Sequence, residues 1–70
     1  MEKGDIYICD RICLAQGRRV KIVKEFVGGY QERVMYTPLS ADNMGVRSNI
    51  GETETLTKKE FFKFYSKVDK

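Results

Sequence analysis

Cys9 and Cys13 are the two thiols of the chain, and no histidine accompanies them. A four-ligand zinc site would then need unusual help from carboxylates, so no metal centre is expected. If residues 9 to 13 run as a strand, their Cα atoms lie about 13 Å apart. A disulfide allows no more than about 7 Å, so only a helical turn or a sharp bend would permit one. The expected state is two reduced, half-buried thiols. Without histidine, no side chain has an ordinary pKa between about 5 and 8, and Ser–His or Cys–His nucleophile chemistry is excluded. Carboxylate or lysine catalysis needs a deep pocket to shift a pKa, and 70 residues bury too small a core to supply one. The chain reads as a non-enzyme without a cofactor.

Positive charge is the remaining chemistry. The net charge is +3, and it is unevenly placed. Residues 18 to 39 carry five cations against two carboxylates, and residues 57 to 70 repeat those numbers, while the segments between and before are acidic. If the two basic blocks adjoin, Arg18, Arg19, Lys21, Lys24 and Arg33 join Lys59, Lys63 and Lys67 in one surface suited to phosphates. Lys58 and Lys59 would stand in the first turn of a helix, where the macrodipole disfavours cations by about 0.3 to 1 kcal/mol each. Lysines at 59, 63 and 67 repel at a spacing of four, by about 0.2 to 0.5 kcal/mol per pair. Local rules broken together mark a functional surface. Exposed Tyr7, Tyr30 or Phe62 would supply stacking faces for bases. This reading makes nucleic acid the partner, bound without sequence specificity.

The alternative partner is a host or other protein. In "NMGVRSNI", Met44, Val46 and Ile50 flank Arg47, and methionine and arginine are favoured at interface cores. Salt separates the two readings, because phosphate contacts weaken steeply with ionic strength and apolar docking does not.

The elements that must position these groups follow from pattern. Residues 5–14 place Ile6, Ile8, Ile12 and Leu14 at period two, interrupted near Asp10–Arg11, and predict a first strand. Residues 18–27 and 31–39 predict a second and third, the latter ended or pushed to an edge by Pro38. A two-residue Gly28–Gly29 loop would set Glu25 against Glu32, so like charges favour a three-residue loop pairing Glu25 with Arg33 and Ile22 with Tyr36. Even spacing of Met44, Val46 and Ile50 predicts a short strand at 45–50, and another follows at 53–56. Thr57 and Glu60 form a capping box, with Leu56 and Phe61 as its hydrophobic staple, opening a helix over 58–67. On that helix Phe61, Phe62, Phe64, Tyr65 and Val68 share one broad arc that covers the sheet. One domain spanning 1–70 is expected. No apolar run reaches the roughly 18 residues of a membrane span, and no secretory h-region follows the start, so the expected location is the cytoplasm, away from membranes.

Four or five short strands followed by a capped helix resemble a small SH3-like barrel. The stretches "GDIY", "GRRVKIV", "RVMY" and "LTKKEFFKFY" are similar to those of short uncharacterised proteins carried by phages and prophages. KOW-type and Tudor-type barrels share the layout of the first 56 residues, although their diagnostic motifs are missing here. The resemblance implies a mainly β fold, a curled sheet or barrel of four to five antiparallel strands capped by an amphipathic C-terminal helix. It assigns no binding residues.

Overall fold

The computed structural model of the chain describes residues 1–11, 16–47 and 49–68. Five antiparallel strands, β1 (Ile6–Cys9), β2 (Arg19–Gly28), β3 (Gln31–Pro38), β4 (Glu54–Thr57) and β5 (Tyr65–Lys67), form one sheet in the order β4-β3-β2-β1-β5. Helix α1 (Lys58–Phe64) sits between β4 and β5. The sheet is open, since β4 and β5 are its edges and share no ladder. Among the described residues, no helix is long and apolar enough to cross a membrane.

The first half of β2 shows why it is a strand: Val20 and Ile22 are buried while Arg19 and Lys21 are exposed. Midway, a bulge at Val23 shifts the pairing with β3 between Ile22 and Lys24. Beyond it Gly28 pairs with Gln31, leaving a two-residue Gly29–Tyr30 loop. Gly29 takes φ 67°, the sign required at the first central position of a type II′ hairpin turn, where glycine is favoured. Neither loop argued from charge forms, and the register expected for the three-residue loop holds only from Val20 to Ile22. Glu25 faces Val34 and Arg33 faces Phe26, so the expected Glu25–Arg33 pair is absent. The Ile22–Tyr36 pair forms, because the bulge absorbs the residue by which the turn is displaced.

Three other elements differ from expectation. The described residues of the strand expected at 45–50, 45–47 and 49–50, are in no ladder: Asp42 Oδ1 accepts hydrogen bonds from the backbone of Met44 (2.8 Å) and Val46 (3.0 Å), satisfying locally what a strand would satisfy by pairing. The first strand ends at Cys9, and residues 12–15, Cys13 among them, lie outside the described residues. Cys9 itself is a buried free thiol. The helix stops at Phe64, three residues before its expected end, because Tyr65–Lys67 pair with β1. Asp10 N–H donates to Phe64 (3.1 Å) and Val68 N–H to Ile6 (2.9 Å), so the turn to extended backbone satisfies an edge of β1 that would otherwise go unpaired.

The helix start follows its sequence signals. Thr57 Oγ1 accepts from the Glu60 backbone N–H at 3.2 Å and donates to the Glu60 carboxylate at 3.0 Å. The box closes through the hydroxyl instead of through the Thr57 backbone. Leu56 packs on the core that contains Phe61. Phe61, fully buried, stacks on Tyr65 at 4.7 Å and meets Tyr7 at 5.1 Å and Tyr36 at 5.3 Å. One short helix thus closes the sheet with one fully buried ring and with Phe64 packed on the same core, while Phe62 stays half exposed.

Candidate nucleic-acid interface

Strand alternation and the bulge sort the charges of the sheet onto two faces. Residues opposite one another in an antiparallel pair share a face, and Val20, Ile22, Val34 and Tyr36 mark the face turned to the helix. The strand carboxylates Glu25, Glu32 and Glu54 lie on that face, opposite Val34, Val27 and Tyr36 respectively. The other face carries Arg19 and Lys21, opposite Ile8 and Ile6, then Lys24 and Arg33, opposite Met35 and Phe26. Lys24 Nζ stands 5.5 Å from the centre of the Phe26 ring. Arg33 Nε donates to the Gly28 carbonyl at 3.1 Å, and its stem lies so close over Gly28 that a Cβ there would meet Arg33 Cδ at 2.8 Å. None of these four cations joins an ion pair among the described residues. Asp10, just past β1, borders this face and accepts a hydrogen bond from Ser66.

The bulge decides this arrangement. Continuing the alternation of Val20 and Ile22 would turn Lys24 toward the helix; the extra residue turns Lys24 outward and Glu25 inward.

Arg18, grouped with the others by sequence, is elsewhere. It shares the parity of Val20 and reaches the helix side, where it donates to both Glu54 oxygens (3.2 and 3.4 Å) and to the Tyr65 hydroxyl. Asn49 adds a 2.6 Å bond to Glu54. Five flat strands would hold β4 and β5 about 19 Å apart, yet one guanidinium touches Glu54 of β4 and Tyr65 of β5, so the sheet is curled. Burial opposes the Arg18 charge, but the Tyr65 hydroxyl and Glu54 carboxylate hold its pKa above the ordinary value. Burial likewise pushes Glu54 up, and hydrogen bonds from Asn49, Tyr36 and Arg18 more than reverse it. Burial pushes the hydroxyls of Tyr36 and Tyr65 up, so both stay neutral, and the Tyr65 hydroxyl accepts from Arg18. Arg18 is a structural clamp. Alternation along 18–22 carried that signal, since successive strand residues face opposite sides.

The helix-end lysines are dispersed too. Lys67 is on β5 and pairs with Asp5 at 3.6 Å. Lys59 and Lys63 are exposed on α1, and no ion pair among the described residues holds them. Lys58, noted for its place in the first helical turn but not counted in the basic surface, bridges Glu25 at 2.8 Å and Glu32 at 3.3 Å. The eight cations therefore do not merge into one patch: four gather on the outer face, and the rest lie on the helix side. Beside α1, an open cleft of about 400 Å³ is lined by Gln31, Glu32, Thr57, Lys58, Lys59 and Phe62.

The alternative site forms a compact turn. Met44 is 88% exposed, Val46 and Arg47 are exposed, and Ile50 is half-buried. Asp42 N–H donates to Val46 (3.0 Å) and Asn43 N–H to Gln16 (2.7 Å), which anchors the turn to the segment before β2. Among the described residues, no group of three or more cysteines and carboxylates is arranged to hold a metal ion. Comparison with protein-family models, curated proteins and solved structures finds no match for this chain.

Proposed function

We propose that this protein is a non-enzymatic, cytoplasmic accessory protein of the phage or prophage type that binds nucleic acid through the outer face of its sheet. The observation that carries the reading is the sorting of charge: Arg19, Lys21, Lys24 and Arg33 share one face, and every strand carboxylate is on the other. A polyanion meeting the outer face finds cations not already neutralised within the fold. The contacts are to phosphates, so the binding is weak and indifferent to sequence. The curl of a four-stranded meander extended by β5 at the β1 edge, gripped across its open edges by Arg18, supports the SH3-like reading of the fold.

Four phosphate contacts imply a log affinity that falls with log salt with a slope of roughly −3, or about 50- to 150-fold between 50 and 200 mM. The test is a salt titration on generic oligonucleotides, with wild type beside a variant carrying glutamine at Arg19, Lys21, Lys24 and Arg33. The variant is expected to fold, to bind far more weakly and to lose most of the slope, whereas Arg47→Gln leaves both unchanged. No wild-type binding at low salt, or an unchanged slope in the fourfold variant, overturns the reading.

A second reading is favoured by the turn at 42–46, whose hydrogen bonds hold Met44 and Val46 out in water beside Arg47. There the partner is a protein, its binding is insensitive to salt, and Met44→Ala weakens it.

A further inference from the structure

The cleft beside α1 lies on the helix side of the sheet, around the β4 edge from Arg33. Thr57, the last residue of β4, lines the cleft and is also the pairing partner of Arg33. A strand laid across the outer face along Lys24 and Arg33 meets the β4 edge at Thr57, and turning around that edge brings it to the cleft. Inside it, Glu32 shares Lys58 (3.3 Å) with Glu25 (2.8 Å), while Lys59 has no ion-pair partner among the described residues. The wall is Phe62, 49% exposed although its neighbour Phe61 is fully buried. Its ring is held 5.9 Å from Phe61 and 6.1 Å from Tyr7, which fixes it against the core with one side in the cleft. Gln31 brings an amide that can meet the edge of a base. Tyr30, fully exposed at the hairpin tip, is the residue before it.

We propose, resting on the nucleic-acid reading above, that this cleft is a slot for one unpaired base of a single strand. The base stacks on Phe62, Lys59 and Arg33 hold the phosphates that flank it, and Gln31 touches its edge. A flat aromatic wall together with a cationic track is the combination that single-strand binders use, and it tolerates any base because every base has a π face. Duplex bases are stacked and paired, and cannot enter without being extruded. The ligand class is therefore single-stranded DNA or RNA.

The test compares a generic single-stranded oligonucleotide with a duplex of equal length at low salt, using wild type, Phe62→Ala and the fourfold outer-face variant. Phe62→Ala is expected to stay folded with a modestly lower midpoint and to weaken single-strand binding by about 5- to 150-fold, the worth of one stacked base, while duplex binding stays as it was. The fourfold variant is expected to lose both. The chain has no tryptophan, so in Phe62→Trp the indole emission reports the slot alone and is expected to be quenched by the single strand and not by the duplex. If Phe62→Ala weakens both forms equally or neither, or if the indole emission ignores a saturating single strand, the slot is refuted while the outer-face reading stands. If wild type binds neither form, both readings fall.

Discussion

Replacing Arg18 by methionine tests the clamp on which the curl of the sheet depends. The Arg18 side chain is 11% exposed and that of Glu54 22%. The change removes two charge-assisted bonds to Glu54 and one to the Tyr65 hydroxyl. Breaking a buried ion pair costs about 3 to 5 kcal/mol because the abandoned charge stays buried. Two features reduce that here. Glu54 keeps Asn49 and some water, and the buried Arg18 Nε already lacks a partner, a penalty the substitution relieves. The net loss should be about 2 to 3 kcal/mol. A 70-residue domain has about 4 to 10 kcal/mol in total, so the thermal midpoint should fall by roughly 10 to 20 °C. The assay is thermal unfolding by circular dichroism at neutral pH, with Glu54→Gln and the double variant completing a cycle. The double variant should lose at least about 1 kcal/mol less than the sum of the singles. Below its midpoint, Arg18→Met should bind oligonucleotides as wild type does. A midpoint within about 2 °C of wild type, or strict additivity, would refute the clamp.

Phe61→Ala empties the centre of the aromatic cluster and should cost about 3 to 5 kcal/mol by chemical denaturation; a loss below about 1 kcal/mol would mean that α1 is not packed on the sheet. Thr57→Ala removes the N-cap and should cost about 1 kcal/mol, read from the same denaturation curves. Stability should be flat from neutral pH to about pH 5 and fall on further acidification. The hydrogen bond from Lys58 lowers the Glu25 pKa, a backbone bond from Glu2 lowers that of Asp5, and Glu54 is lowered despite its burial, against ordinary values of 3.8 for Asp and 4.5 for Glu. Carboxyls with folded values below their unfolded ones stabilise fully above the unfolded value and lose that contribution as pH falls through the folded one. Glu54→Gln should therefore flatten the acid limb of a midpoint-against-pH curve, and a midpoint that rises on acidification would contradict the assignment.

Much of the local structure is written in the residues themselves. The Thr57–Glu60 box and the Leu56–Phe61 staple start α1 where they stand, because a cap acts over four residues and needs no distant partner. Alternation of Val20 and Ile22 with Arg19 and Lys21 defines the first half of β2 and already contains the faces of its cations, including the inward turn of Arg18. Other features depend on contacts that no local pattern holds. The aromatic periodicity continues past Phe64, yet Tyr65–Lys67 become a strand because β1, more than fifty residues earlier, has an edge to pair. The apolar spacing of Met44, Val46 and Ile50 imitates a strand, but Asp42 satisfies that backbone and no ladder claims it. The bulge at Val23 reverses the faces of Lys24 and Glu25, and it exists because a Gly29–Tyr30 turn displaces the hairpin by one residue while Ile22 must still meet Tyr36 in the core. Which charges face outward is thus set by closing the core, where one residue of register outweighs the preference of any single charged pair.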